Sequence, residues 1–303
     1  MNFHLVWGCD PSLQFESTWI RFLLSGRISS ELSAFTSTED LHLLEDSDHI
    51  YLVESGLNRL RKAVSNDELF LHDRSRQIRL GLLNFDKLTV IHLSDEEGFD
   101  GDTFYSLIPQ SVPIFRNFYH TRFSNQSNIT TFPIGPRNIF LPPSHSEFSS
   151  NSLQRTYPWS FMGTLWPSGS RTLAVSTFLR TLPHGYYFGG ESFASGLPLS
   201  EYRQILLNSD FALAPEGDRH LDTFRLWESF SCGCIPIVVD FNDTVTSLLP
   251  NYPLPTYSSW ARALDHVLET FTVPSIIQDM HFQSQYWWHQ YMISLRHSFF
   301  NPP

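Results

Sequence analysis

The chain has 303 residues, a net charge of -11, 41% hydrophobic and 17% charged residues. That composition excludes an intrinsically disordered chain, and its length suggests two domains. Acidic residues outnumber basic ones both in the first 150 residues and in the remainder, so neither part is a general binder of nucleic acid or anionic membrane.

Short apolar runs alternate with longer helical patterns, the signature of βα units. In the first part, residues 3–8 read as a strand and 16–24 as a helix. Residues 50–53 and 88–93 read as buried strands, with a helix between them at 57–64. Residues 113–119 and 129–134 read as further strands. The Ser- and Pro-rich stretch 141–158 has the character of an interdomain linker.

The pattern then restarts. Strands are expected at 159–162, 186–188, 211–214 and 235–239. Helices are expected at 170–180, 199–208, 222–232 and 259–271, the last capped by Ser258 or Ser259. A final aromatic-rich helix at 278–296 carries Trp287 and Trp288. The whole reads as an α/β protein of two doubly wound halves, with a ligand cleft expected at the carboxyl ends of the sheets. The expected domains are 1–150 and 151–275, followed by a helical segment, 276–303.

Several chemistries are missing. No GxGxxG follows a strand, the loop from Gly163 is not a P-loop, and no GxSxG is present. Cys232 and Cys234 have no second pair to complete a zinc site, and read as small buried residues at a helix end. Three cysteines imply no disulfide framework, and no apolar run is long enough to span a bilayer. With no leader evident at its start, the chain is expected to be soluble and cytoplasmic. Asp100-Gly101-Asp102 matches the DxD of metal-dependent sugar transferases, but reads better as a solvated loop. No metal and no cofactor are expected.

The basic residues are 18 Arg and only 2 Lys, which leans toward planar, bidentate recognition. Residues 202–240 are the most informative, YRQILLNSDFALAPEGDRHLDTFRLWESFSCGCIPIVVD. A strand ends in a Pro-Glu-Gly turn, and a helix begins near Thr223. A helix N-terminus beside a strand's carboxyl end favours a phosphate, and Arg225 would add a bidentate donor. Glu228 lies three residues further along the same face and could accept hydrogen bonds from two ribose hydroxyls. The alternative is an internal Arg225–Glu228 pair on an ordinary βα unit.

This stretch resembles the donor-binding signature of exostosin-type glycosyltransferases, and most of all their ribitol xylosyltransferase branch. The branch also shows patterns like SFMGTLWPSGSR from Ser160 and VIHLSDEEGFDGD from Val90. The resemblance covers roughly residues 85–270. It implies a GT-B fold, with two Rossmann-like domains facing across a cleft and the nucleotide sugar held mainly by the C-terminal one. It also implies inversion at the anomeric carbon, no obligatory metal, and a last helix that packs back toward the N-terminal domain. Ordinary core of the C-terminal domain is the other reading of that helix.

On this reading a UDP-sugar donor, a substrate and not a cofactor, gives its sugar to a hydroxyl of a glycan or polyol acceptor. Gly163, Arg171, Gly217, Thr223, Arg225 and Glu228 would bind the donor. Glu96, where the related pattern also carries Glu, is the expected base and Asp95 the runner-up. Arg116, Asn117 and Arg137 would line the acceptor side, and His92 reads as core. The competing reading is a non-catalytic homologue that binds a nucleotide or glycan.

Overall fold

The computed structural model describes residues 2–33, 42, 44–55, 85–99, 104–141, 155–165, 170–190, 192, 196–217, 220–240, 245 and 248–302. The expected helix at 57–64, the Asp100–Asp102 loop and most of the Ser- and Pro-rich stretch lie outside these residues. The chain forms two compact units, Met1–Pro133 with Leu295–Pro303, and Ile134–Ser294.

The first unit is built on β1 (Phe3–Trp7), α1 (Ser17–Leu23), β2 (Ile28–Ser33), β3 (His49–Ser55), β4 (Leu88–Leu93), β5 (Ile114–Arg116) and β6 (Ile129–Thr131). All neighbouring strands pair in parallel, in the order β2-β1-β3-β4-β5-β6. The direction of strand addition reverses between β1 and β3. β4 is buried along its whole length, as a parallel strand covered on both faces should be.

One face of this sheet carries Val6, Ile50, Leu52, Leu88, Val90 and Ile114 in a single apolar cluster. The other is finished by residues from the far end of the chain. The Phe299 ring stacks on Phe115 at 4.1 Å and meets Phe132 edge-on, while the Tyr51 hydroxyl donates to the Phe299 carbonyl at 3.0 Å. β2 has no apolar run, so periodicity does not announce it. It is an edge strand whose Glu31 accepts from Trp7 Nε1 at 2.7 Å and pairs with Arg21 at 2.5 Å.

The second unit contains β7 (Tyr157–Thr164), α2 (Ser170–Thr181), β8 (Tyr186–Gly190), α3 (Leu199–Leu207), β9 (Ser209–Leu213), α4 (Phe224–Ser231), β10 (Ile235–Ile237), α5 (Trp260–Phe271) and α6 (Pro274–Phe300), whose residues from Leu295 onward belong to the first unit. Its sheet is parallel in the order β10-β9-β7-β8, reversing between β7 and β9. Side chains alternate along β7. Trp159 and Phe161 join the cluster with Phe178, Phe211 and Trp260, while Met162 joins the opposite cluster with Tyr202, Leu206 and both buried cysteines. Burial pushes the Cys232 thiol up to about 12, so it is an inert packing group. Arg155 donates to the carbonyls of Leu206, Ser209, Cys232 and Gly233, tying two loops together. Ser259 caps α5, accepting from Arg262 N at 3.2 Å. Trp287 and Trp288 pack against Phe230 within this unit.

The division at Pro133 falls earlier than the composition shift near residue 150. Ile134 N donates to both oxygens of Asp222, and Phe140 packs against Tyr202. Packing thus draws residues 134–140 into the second unit ahead of the polar stretch. No helix among the described residues is long and apolar enough to cross a membrane. Phe299→Ala is expected to cost about 3–5 kcal/mol. Urea denaturation followed by near-ultraviolet circular dichroism measures it.

Candidate functional site

In an open α/β sheet, ligands bind outside the carboxyl ends of the strands where the strand order reverses. In the second unit that point lies between β7 and β9, and Gly163, Arg171, Gly217, Thr223 and Arg225 gather around it.

Arg225 sits in the first turn of α4 and is nine-tenths buried. Its Nη2 donates to the Met162 carbonyl at 3.1 Å, and its guanidinium lies 4.6 Å from the centroid of the Phe161 ring. Its Nε and Nη1 are buried and have no acceptor among the described residues. Gly163 makes room for it, because a Cβ there would run into Arg225 Nη2. Thr223 is the N-cap of α4, yet its side chain makes no capping bond and its buried Oγ1 has no partner. The first turn of this helix therefore carries unspent donors from a side chain as well as the backbone dipole.

Arg171 braces the same edge. It donates to Thr164 O at 2.8 Å and to Glu216 O at 3.0 Å, fastening the end of β7 to the turn after β9. Gly217 closes that turn through a 2.6 Å bond from its N to His220 O.

Glu228 does not join this group, nor does it pair with Arg225. It is fully buried, and both its oxygens are engaged by Arg137, at 2.5 Å from Nε and 3.1 Å from Nη2. Glu228, expected at a ribose, and Arg137, expected on the acceptor side, are thus each other's ion-pair partners. No spacing rule connects positions 91 apart in sequence.

In the first unit, register places Glu54 opposite His92 and His92 opposite Arg116. All three are fully buried, forming a polar row beside the apolar cluster. Arg116 donates to the Asp95, Asn117 and Phe118 carbonyls and to Asp95 Oδ2 at 3.3 Å. Asn117 is buried, with its Oδ1 accepting from Ser94 N. Both side chains are thus spent inside the first unit, Arg116 on carbonyls and Asn117 on the Ser94 N–H. Asp95 is buried in the ion pair with Arg116, whereas Glu96 is partly exposed in the turn that follows β4. Glu54, fully buried at the carboxyl end of β3, was missed. As a lone acid ending an apolar run, it could have signalled a polar strand end.

Both units are thus doubly wound nucleotide-binding-type α/β folds, and one carries a partly unsatisfied arginine at its switch point. The chain belongs to the family of the RXYLT1 C-terminal domain, whose model matches residues 140–301. Membership in it places the protein among the glycosyltransferases. Among solved structures, an alpha1,3-fucosyltransferase overlays with a TM-score of 0.48 at 10% identity, covering 98% of this chain and 89% of that one. The glycosyltransferase SnogD from Streptomyces nogalater overlays with a TM-score of 0.39 at 10% identity, covering 95% and 94%. Both scores are too low to carry an argument of their own. No curated protein matches the sequence.

Arg137→Ala leaves the Glu228 carboxylate buried without its cation, and should destabilise the protein by about 3–5 kcal/mol in urea denaturation. Changing both residues to Met should cost less.

Burial above all, reinforced by Arg116 and opposed by Asp95, holds the His92 pKa down from 6.5 to about 4. Burial and Lys87 do the same for His49. Between those values the unfolded chain binds protons that the folded chain refuses, so stability is complete above the ordinary histidine value and falls toward pH 4. His92→Gln should flatten part of that fall, read from urea midpoints across the window.

Proposed function

We propose that the protein is an inverting, exostosin-type glycosyltransferase that moves a sugar from a UDP-sugar to a hydroxyl of a glycan or polyol acceptor. The observation that carries this reading is Arg225, buried at the β7/β9 switch point with Nε and Nη1 unspent. A buried guanidinium with two unpaired nitrogens is costly, and an anion offering two oxygens relieves that cost. A nucleoside diphosphate has that form.

The chemistry fits the same atoms. The acceptor oxygen attacks the anomeric carbon and forms the new C–O bond, while the bond from that carbon to the diphosphate oxygen breaks. The electron pair leaves with the diphosphate, whose growing charge Arg225 and the start of α4 stabilise. In this reading Thr223 Oγ1 supplies a further hydrogen bond, and Gly163 keeps the guanidinium in place. Arg171 and Gly217 shape the wall, and Glu228 acts only through its pair with Arg137.

The acceptor proton must pass to a base. Glu96 takes that role here, because Asp95 is buried against Arg116. The reaction as proposed uses no cofactor and no obligatory metal, so turnover should persist in excess chelator.

A thermal-shift panel with UDP, GDP and CMP tests the donor site. At a hundred times its dissociation constant a ligand stabilises by about 2.7 kcal/mol. UDP should raise the wild-type melting temperature, and Arg225→Ala or Arg225→Gln should abolish that rise relative to each variant's own baseline. A wild type unmoved by UDP, or a rise undiminished in both variants, would sink the proposal. A protein that binds UDP but transfers no sugar would be the non-catalytic homologue.

A further inference from the structure

The turn after β4 is held by its backbone, and the residues that hold it come from one short stretch. Arg116 Nη2 donates to Asp95 O at 3.0 Å. His120 Nε2 lies 2.9 Å from Glu96 O, and Arg122 Nη2 donates to Glu97 O at 3.2 Å. Three successive carbonyls thus meet three successive donors. A carbonyl only accepts, so the His120 proton in that bond must be on Nε2.

A single ring organises these donors. Phe123 is buried, with the Arg116 and Arg122 guanidiniums 4.4 and 4.8 Å from its centroid. The His120 ring meets it edge-on at 6.0 Å. The fit leaves no slack. Gly98 has φ +72, and a Cβ there would collide with Arg122 and crowd His120. Ser94 and Phe118, at the ends of β4 and β5, hold left-handed φ values of 60° and 58°. Such strain persists only where surrounding contacts impose it.

We propose that Arg116, His120 and Arg122 form a carbonyl clamp that fixes Glu96 in place as the base, with His120 and Arg122 as positioning residues. This rests on the transferase reading above. The acceptor's proton goes to the Glu96 carboxylate as its oxygen bonds to the anomeric carbon. A base is effective only when held in hydrogen-bond reach, and a displacement of about 1 Å can cost about 100-fold. The clamp acts on the main chain of the turn, through the Asp95, Glu96 and Glu97 carbonyls.

The test compares wild type with Glu96→Gln, His120→Ala, His120→Gln and Arg122→Ala. Turnover of UDP-xylose is followed with ribitol and with water as acceptor probes, beside the UDP thermal shift. Glu96→Gln should lower kcat about 100-fold or more. His120→Ala and Arg122→Ala should each lower kcat about 10- to 100-fold with donor KM within about twofold. A glutamine amide can replace the Nε2 donor, so His120→Gln should recover most of the rate. Amide exchange at Glu96–Gly98 should speed up in His120→Ala and not in His120→Gln.

The clamp role is overturned if His120→Gln is no better than His120→Ala, if the loss falls on donor KM, or if Glu96→Gln keeps its rate. A wild type stabilised by UDP that turns over neither probe pair overturns the base and its clamp, and leaves the nucleotide reading standing. A wild type that UDP does not stabilise overturns that reading itself, and the clamp's catalytic role with it.

Discussion

The Arg225 guanidinium lies over the Phe161 ring, bonded to the Met162 carbonyl, with room only because residue 163 has no side chain. Much of the second unit serves that arrangement. β7 supplies Phe161, Met162 and Gly163 in sequence, and its alternation turns the aromatic ring into one core cluster and the methionine into the other. Arg171 ties the end of β7 to the turn after β9, and Asp222 anchors the approach to α4 by accepting from Trp227 Nε1 and Ile134 N. The arginine is fixed before any ligand arrives. Preorganisation of this kind lets a charge stabilise a leaving group without the cost of reorganising around it.

Arginine has a second use in this acidic chain. Arg155, Arg116 and Arg171 all spend their forks on backbone carbonyls. A planar guanidinium can reach several carbonyls at once, and a lysine ammonium lacks that fixed geometry. An excess of Arg over Lys in the sequence suggests bidentate recognition, and in these three cases what is recognised is the protein's own main chain.

That explains what could be read from sequence and what could not. β4 lies where its apolar run predicts, and residue type narrows the cap of α5 to Ser258 or Ser259, of which Ser259 is used. The parallel, doubly wound plan follows from the alternation of strands and helices. β2 was missed because ISSELS offers neither alternation nor a β-branched run. Within the second unit, Arg225 stands out in the sequence because a turn and a helix start frame it. The Arg137–Glu228 pair and the carbonyl clamp could not. One joins distant positions, and the other binds backbone atoms that every residue possesses.

The placement of Phe299 bears on how the protein is made. The sheet of the first unit is synthesised before the second unit, but the ring that stacks on Phe115 emerges only after the whole of it. Domains made early in synthesis generally fold first. Here the first unit's sheet leaves the ribosome before the second unit, yet gains its full core only after it. Until then its Phe115 and Phe132 face lacks that cover.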